Sequence, residues 1–316
     1  MRVELDFGGA SPGRGPFGSG NSGARTPCRY HPRRRRCTDA ATDYRGHRRG
    51  AVGSSNGPEP PQPFTSSPAQ GSCSRVTWLY SAPMATFPRY AIFYVSAPDS
   101  ELDRFGTRLL GYDAHTGEDL SFPDDILWMA PDWRDLTREP RKYGFHATLK
   151  APLSLAPGKT EAELFAACEL FADIPRPLPV IRPVVNSISG FIAVVSAEPS
   201  AELIRLAADC VNEFDSFRAP LTSEDRARRN PSDLTPRQCE HLDRWGYPYV
   251  MEDFRFHMTL TGRLNGERRE SVLTMLRNSF SAIGLKTLAI DRIAIFRQEN
   301  DVSRFQIVNH WKLRIC

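Results

Sequence analysis

Apolar and polar positions alternate strictly in two short stretches of this chain. Phe145, Ala147 and Leu149 are interleaved with His146, Thr148 and Lys150. Phe256, Met258 and Leu260 are interleaved with His257, Thr259 and Thr261. A period of two puts each apolar set on one face of a β-strand and each polar set on the other. Strands are therefore predicted over about 143–149 and 254–260. Arg89 to Ala97, rich in aromatic and branched residues, predicts a further strand. Helical stripes follow at Leu102, Phe105, Leu109 and Leu110; at Leu164, Cys168 and Phe171; at Leu203, Leu206, Ala207, Cys210 and Phe214; and at Val272, Leu273, Leu276 and Phe280. Ser100 opens the first of these and Gly111 stops it. Thr160 with Glu163 has capping-box spacing, Ser200 can cap the third helix, and Gly284 closes the last. Residues 180–188 and 190–197 read as a hairpin, and 287–298 with 305–313 as a closing antiparallel pair. Residues 112–140 are polar and broken by prolines, with a short helix near Asp124 to Met129.

The two alternating stretches share the pattern Phe-His-x-Thr-Leu, 111 residues apart, and a further leucine follows at the same offset in each, Leu153 and Leu264. A duplicated supersecondary unit accounts for this. Strand–helix–strand units occurring twice predict an α+β fold over residues 84–316. Its two pseudo-symmetric lobes carry antiparallel sheets that face a shared cleft, with helices outside and the change of lobe near 190–200. Residues 218–250 depart from the repeat. They hold the charge run Glu224-Asp225-Arg226-Ala227-Arg228-Arg229, the pattern of a solvated helix face, and a helix opened by Thr235-Pro236 and stopped at Gly246. Trp245, Tyr247 and Tyr249 of this insert are candidates for a wall or lid, or for simple packing.

Each motif strand anchors its apolar face in a core and offers His and Thr side by side on the other. Cations extend that face: Lys142 and Lys150 on the first strand, Arg255 and Arg263 on the second. Breaking a phosphodiester needs one proton removed from the nucleophile and one given to the leaving oxygen, and imidazole titrates in the range where it does both. Thr148 and Thr259 can donate to the non-bridging oxygens. A lone histidine more often satisfies a buried backbone group, but a matched pair beside matched threonines points to His146 and His257 as catalytic residues. Zinc sites usually need three or more ligands, and no cluster has that spacing, so no metal or other cofactor is expected. Tyr143 falls on the apolar face and is expected in the core. Tyr90 is a candidate to reach the cleft.

The sequences Tyr143-Gly-Phe-His-Ala-Thr-Leu-Lys-Ala-Pro152 and Phe254-Arg-Phe-His-Met-Thr-Leu-Thr-Gly-Arg-Leu264 resemble the two-histidine phosphoesterase superfamily. Within it they are similar to a small bacterial family encoded beside carbon–phosphorus lyase genes, and Arg89-Tyr90-Ala91-Ile92-Phe93-Tyr94 resembles that family's opening strand. The resemblance covers about Met84 to Arg314. It implies a metal-independent phosphodiesterase acting on a cyclic phosphate in phosphonate breakdown, with a small phosphorylated substrate and one His-x-Thr strand from each lobe lining the cleft. An RNA-end or 2′,3′-cyclic nucleotide phosphodiesterase is the alternative enzyme. A phosphate-ligand binding protein without catalysis is the other.

Charge separates the chain into two parts. Residues 1–83 hold 12 Arg, no Lys and five acidic residues, a net +7; the remainder is −3. A mildly acidic folded part disfavours a large nucleic-acid footprint. Gly, Pro and Ser make up 32 of the first 83 residues and there is no isoleucine. That segment is expected to be disordered. An Arg-rich arm, an organelle transit peptide and a true start at Met84 compete to explain it, and the last fits its composition best. The seven scattered cysteines form no Cys-x-x-Cys pair and read as reduced thiols. No run of 18 apolar residues and no secretory core occur, so a cytoplasmic, monomeric enzyme without a membrane span is expected.

Overall fold

The computed structural model describes residues 87–316; the expectations for residues 1–83 lie outside that range. Strand β1 (Arg89–Tyr94) is buried on both faces. Tyr90, Ile92 and Tyr94 enter a large core on one side, Ala91 and Phe93 a smaller one on the other. Helix α1 (Glu101–Leu110) begins where the Ser100 hydroxyl accepts from the Asp103 N–H and ends at Gly111, in the left-handed region at φ 66°. The polar stretch that follows contains α2 (Asp124–Met129), α3 (Trp133–Leu136) and α4 (Arg138–Arg141). Only α2 is predicted by the sequence, because helices of four residues have no periodicity to read.

Strand β2 (Ala147–Ser154) starts later than the alternation suggests. Gly144 sits at φ 75°, and a Cβ there would lie 2.7 Å from that of Ala114, so the chain turns before it extends. Helix α5 (Glu161–Asp173) carries the predicted Thr160/Glu163 capping box. Strands β3 (Val180–Ile181), β4 (Pro183–Ile188) and β5 (Phe191–Ser196) follow, β4 and β5 forming the predicted hairpin. Helix α6 (Ala201–Phe214) is capped by Ser200. The insert holds α7 (Ser223–Ala227) and α8 (Pro236–Trp245), the latter with a Thr235/Gln238 capping box and Gly246 at its end. Strand β6 (His257–Thr259) is short, and α9 (Gly266–Ala282), β7 (Leu288–Ala289), β8 (Arg292–Gln298) and β9 (Gln306–Lys312) complete the chain.

The fold is α+β with antiparallel sheets. Seven strands run in the order β4-β5-β6-β2-β1-β8-β9, and β3 pairs with β7 separately. The two motif strands are central neighbours, so the sheet is continuous from one half to the other. The stripes of α5, α6 and α9 meet Ala147, Leu149, Met258 and Leu260 in the large core. Helices therefore cover one face of the central strands, and the motif histidines and threonines are left to the opposite face. Cys168 and Cys210 are buried thiols in that core, and burial raises both above the ordinary thiol range.

Candidate functional site

Ala147 pairs directly with Met258 in an antiparallel register. These are the middle residues of the two His-x-Thr triplets. The register consequently sets His146 across from Thr259 and Thr148 across from His257, all four on one face. The two histidines occupy one diagonal of this square and the two threonines the other. Diagonal neighbours on adjacent strands lie about 7–8 Å apart, within reach of long side chains. One phosphorus atom fits between imidazoles so placed.

Each ring is held in the same way. His146 Nδ1 donates to the carbonyl of Gly144 at 2.9 Å, and His257 Nδ1 donates to the carbonyl of Arg255 at 2.8 Å. A carbonyl only accepts, so the proton of the neutral ring sits on Nδ1 and the Nε2 lone pair is free for chemistry. Thr148 Oγ1 lies 3.4 Å from His146 Nε2. Burial lowers the pKa of His146 to about 4, with the Gly144 carbonyl opposing this and the neighbouring His257 adding to it. Burial also lowers that of His257, opposed by the Arg255 carbonyl. Both rings are therefore neutral at pH 7 until an anion arrives.

The flanking strands break the equivalence of the two halves. Phe93 of β1 pairs with Thr148, and its ring stacks on His146 at 3.9 Å between centroids. The corresponding partner of Thr259, on β5, is Ala193. The small side chain leaves room on the His257 side. A cavity of about 380 Å³ lies there, lined by His257, Thr148, Arg255, Arg263, Tyr247 and Tyr249 among others. Of the two alternatives open for the insert's aromatics, Tyr247 and Tyr249 thus wall a cavity. Trp245 packs instead with its ring 6.0 Å from Lys150 Nζ. Asp253 also lines the cavity, but its carboxylate is bound in fork fashion by Arg237 at 2.8 Å on both oxygens, which holds its pKa below the usual range.

Of the residues singled out in the sequence, the structure brings together His146, His257, Thr148, Thr259, Arg255 and Arg263. It does not bring Lys150, Lys142 or Tyr90 to them. The register between β1 and β2 shifts between Ile92 and Phe93, where Lys150 and Thr148 are the successive partners. This bulge breaks the alternation and turns Lys150 toward α6. Its Nζ is buried, donating to Asp215 Oδ1 at 2.7 Å and to the Val211 carbonyl at 3.2 Å. Lys142 lies before the strand begins and is paired in the open with Glu139. Tyr90 faces the large core, and its hydroxyl donates to Glu161 at 2.8 Å, beside Arg297. Tyr143, expected in the core, lies in the turn before β2. It is half-buried, stacked on Phe305, with its ring 5.9 Å from that of His146. Phe93, Ala193 and Gln238 join the site from elements whose patterns carry no chemical signal.

The model of the family described as "Protein of unknown function (DUF1045)" matches residues 148–306. A ribose 1,5-bisphosphate phosphokinase PhnN of Janthinobacterium sp. (strain Marseille) is 34% identical over 221 residues, 67% of this chain and 48% of that protein. A protein of the same name from Laribacter hongkongensis (strain HLHK9) is 32% identical over 178 residues, 56% and 40% of the two chains. The chain spans about half the length of the curated relatives it matches. Among solved structures, E. coli LigT complexed with phosphate aligns over 72% of this chain and 99% of its own at 14% identity, TM-score 0.33. E. coli LigT complexed with 3′-AMP aligns over 72% and 98% at 15% identity, TM-score 0.30. Likeness at these scores says nothing about chemistry.

Proposed function

The chain belongs to the family described as "Protein of unknown function (DUF1045)", and on that footing we propose that it is a phosphoesterase opening a cyclic phosphodiester by two-histidine acid–base catalysis. The pairing of Ala147 with Met258 carries this reading, because it puts both rings and both hydroxyls around one point. One Nε2 takes a proton from water as its oxygen attacks phosphorus. The other ring, protonated, gives its proton to the leaving oxygen as the opposite P–O bond breaks. Thr148 and Thr259 donate to the non-bridging oxygens, and Arg255 and Arg263 supply positive charge at the cavity wall. The anionic phosphate itself raises the histidine pKa values and so favours the protonated acid. Among the described residues no three or more His, Cys, Asp or Glu converge to hold a metal ion, and this mechanism routes no step through one.

The name of the curated relatives supports a phosphorylated sugar as substrate and, with the resemblance above, a place in phosphonate breakdown. The kinase activity in that name is not carried over, because the chain spans only about half of those relatives. Gly158-Lys159-Thr160 matches the end of a phosphate-binding loop, but Leu153 stands where the first glycine of that motif belongs. Thr160 instead caps α5, and Lys159 lies over the Phe217 ring at 4.9 Å. Tyr247 and Tyr249 offer stacking surfaces, which favours a nucleoside 2′,3′-cyclic phosphate as the second reading.

Turnover of a panel of sugar and nucleoside cyclic phosphates, with chelator present, tests both. His146→Ala and His257→Ala are each expected to lose ~10²–10⁴-fold in kcat while still binding ligand. Wild-type turnover by either variant overturns the acid–base pair. Loss of affinity without any activity in the wild type points to a binding protein.

A further inference from the structure

The charge run of the insert is solvated, as its pattern suggests, and at its end it also borders a cavity. Asp225, Arg228 and Arg229 wall a second cavity of about 310 Å³, together with Arg89, Tyr143 and Arg218. Four arginines and one aspartate line it. Asp225 is already paired with Arg228, and Arg218 is paired with Asp215. Arg89, from the start of β1, donates through Nε at 3.0 Å and through Nη2 at 2.5 Å to the neutral Gln298 side chain, and among the described residues no carboxylate is paired with it. Arg229 rests over the Tyr247 ring at 5.1 Å. Burial, and then the charges of Arg228 and Arg229, push the Arg89 guanidinium below its ordinary pKa, with Tyr143 and Asp225 opposing. Cations gathered against one another in a concave site favour an anion between them.

A tyrosine of each cavity lies near a residue of the other site. Tyr143 lines the arginine cavity and stands 5.9 Å from His146. Tyr247 lines the His257 cavity and carries Arg229 on its ring. The two cavities share no lining residue, so a ligand reaching both has to pass these tyrosines.

We propose that the arginine cavity binds a second, terminal phosphoryl group of the same substrate whose diester lies between His146 and His257, with Arg89 and Arg229 as its ligands. This rests on the phosphoesterase reading for the substrate and on geometry alone for the anion site. A guanidinium fork matches a phosphoryl group bidentately; Arg229 offers one, while Arg89, its Nε and Nη2 held by Gln298, adds Nη1 and its charge. Arg89 belongs to the sheet and Arg229 to the insert, so the bound group also ties the insert down beside the cleft.

Two measurements test it. Kinetics compare a pentose 1,2-cyclic phosphate with and without a phosphoryl group on its terminal hydroxyl. Arg89→Gln and Arg229→Gln are each expected to cut kcat/KM for the phosphorylated compound by at least ~10-fold more than for the other. Equal losses on both compounds overturn the assignment. Calorimetry with inorganic phosphate reads the site without turnover. Two sites are expected in the wild type, one of them weakened at least ~10-fold by either substitution. A double variant whose titration superimposes on wild type overturns the proposal. If neither compound is turned over, the sugar cyclic phosphate reading fails, and calorimetry still decides the anion site.

Discussion

The carbonyl two residues before each motif histidine fixes which nitrogen works. At His146 that carbonyl belongs to Gly144, whose left-handed φ of 75° and closeness to Ala114 leave no room for a Cβ. Gly144→Ala is expected to reorient this carbonyl, destabilise the protein by about 1–3 kcal/mol and lower kcat more than KM changes. Thermal melts and steady-state kinetics check both. Burial of two neutral rings also dictates the pH profile. With both pKa values below 6.5 in the free protein, the protonated acid becomes scarcer as pH rises, so kcat/KM is expected to peak below pH 6.5. The profile of kcat, read in the complex, shifts upward as the bound anion raises both rings. The histidines and threonines were legible because their spacing is local and repeated. Lys150 was not, since a bulge leaves no mark in an alternating pattern, and Tyr90 could not be placed because β1 is apolar on both faces.

At the scale of elements, the square of histidines and threonines depends on strands being held edge to edge and on helices seating them. Phe145, next to His146, lies against Gly106 of α1, where an added Cβ would fall 2.0 Å from the phenyl ring. Gly106→Ala must displace Phe145. A cost of about 1–3 kcal/mol is expected, together with reduced activity from a misplaced His146. Retained activity with an unchanged melting temperature would show that helix and ring adjust freely. Helix ends were well predicted because caps are local chemistry: Ser100, Thr160, Ser200 and Thr235 all accept the hydrogen bonds their positions suggest. Strand lengths were less legible. Residues 143–146 alternate correctly yet turn at Gly144, and β6 keeps only three residues of its predicted seven.

Over the whole molecule, residues from distant parts of the sequence meet around one face of a continuous sheet. The insert supplies Tyr247 and Tyr249 and is fastened beside β6 by the Arg237–Asp253 pair. Sequence reading marked it as a departure from the repeat without showing what it covers, because residues that wall a cavity have no periodicity of their own. Stability links to the same histidines. The unfolded chain binds more protons than the native one between the lowered pKa of about 4 and the ordinary 6.5. Their contribution is thus present above pH 6.5 and lost as pH falls toward 4. A smaller drop in melting temperature from pH 6.5 to 4.5 is expected for His146→Gln than for wild type. Among the described residues no helix is long and apolar enough to cross a membrane.

An antiparallel pair registered on equivalent residues has a local half-turn symmetry, and a ligand centred on it meets two poses of nearly equal merit. Phe93 stacks in one of them, whereas beside Ala193 the other keeps a cavity, with the Phe191 ring tilted 5.6 Å from His257. If the substrate is a cyclic phosphate, as proposed, the oxygen that departs is then chosen by bulk, through a phenyl ring that handles no proton.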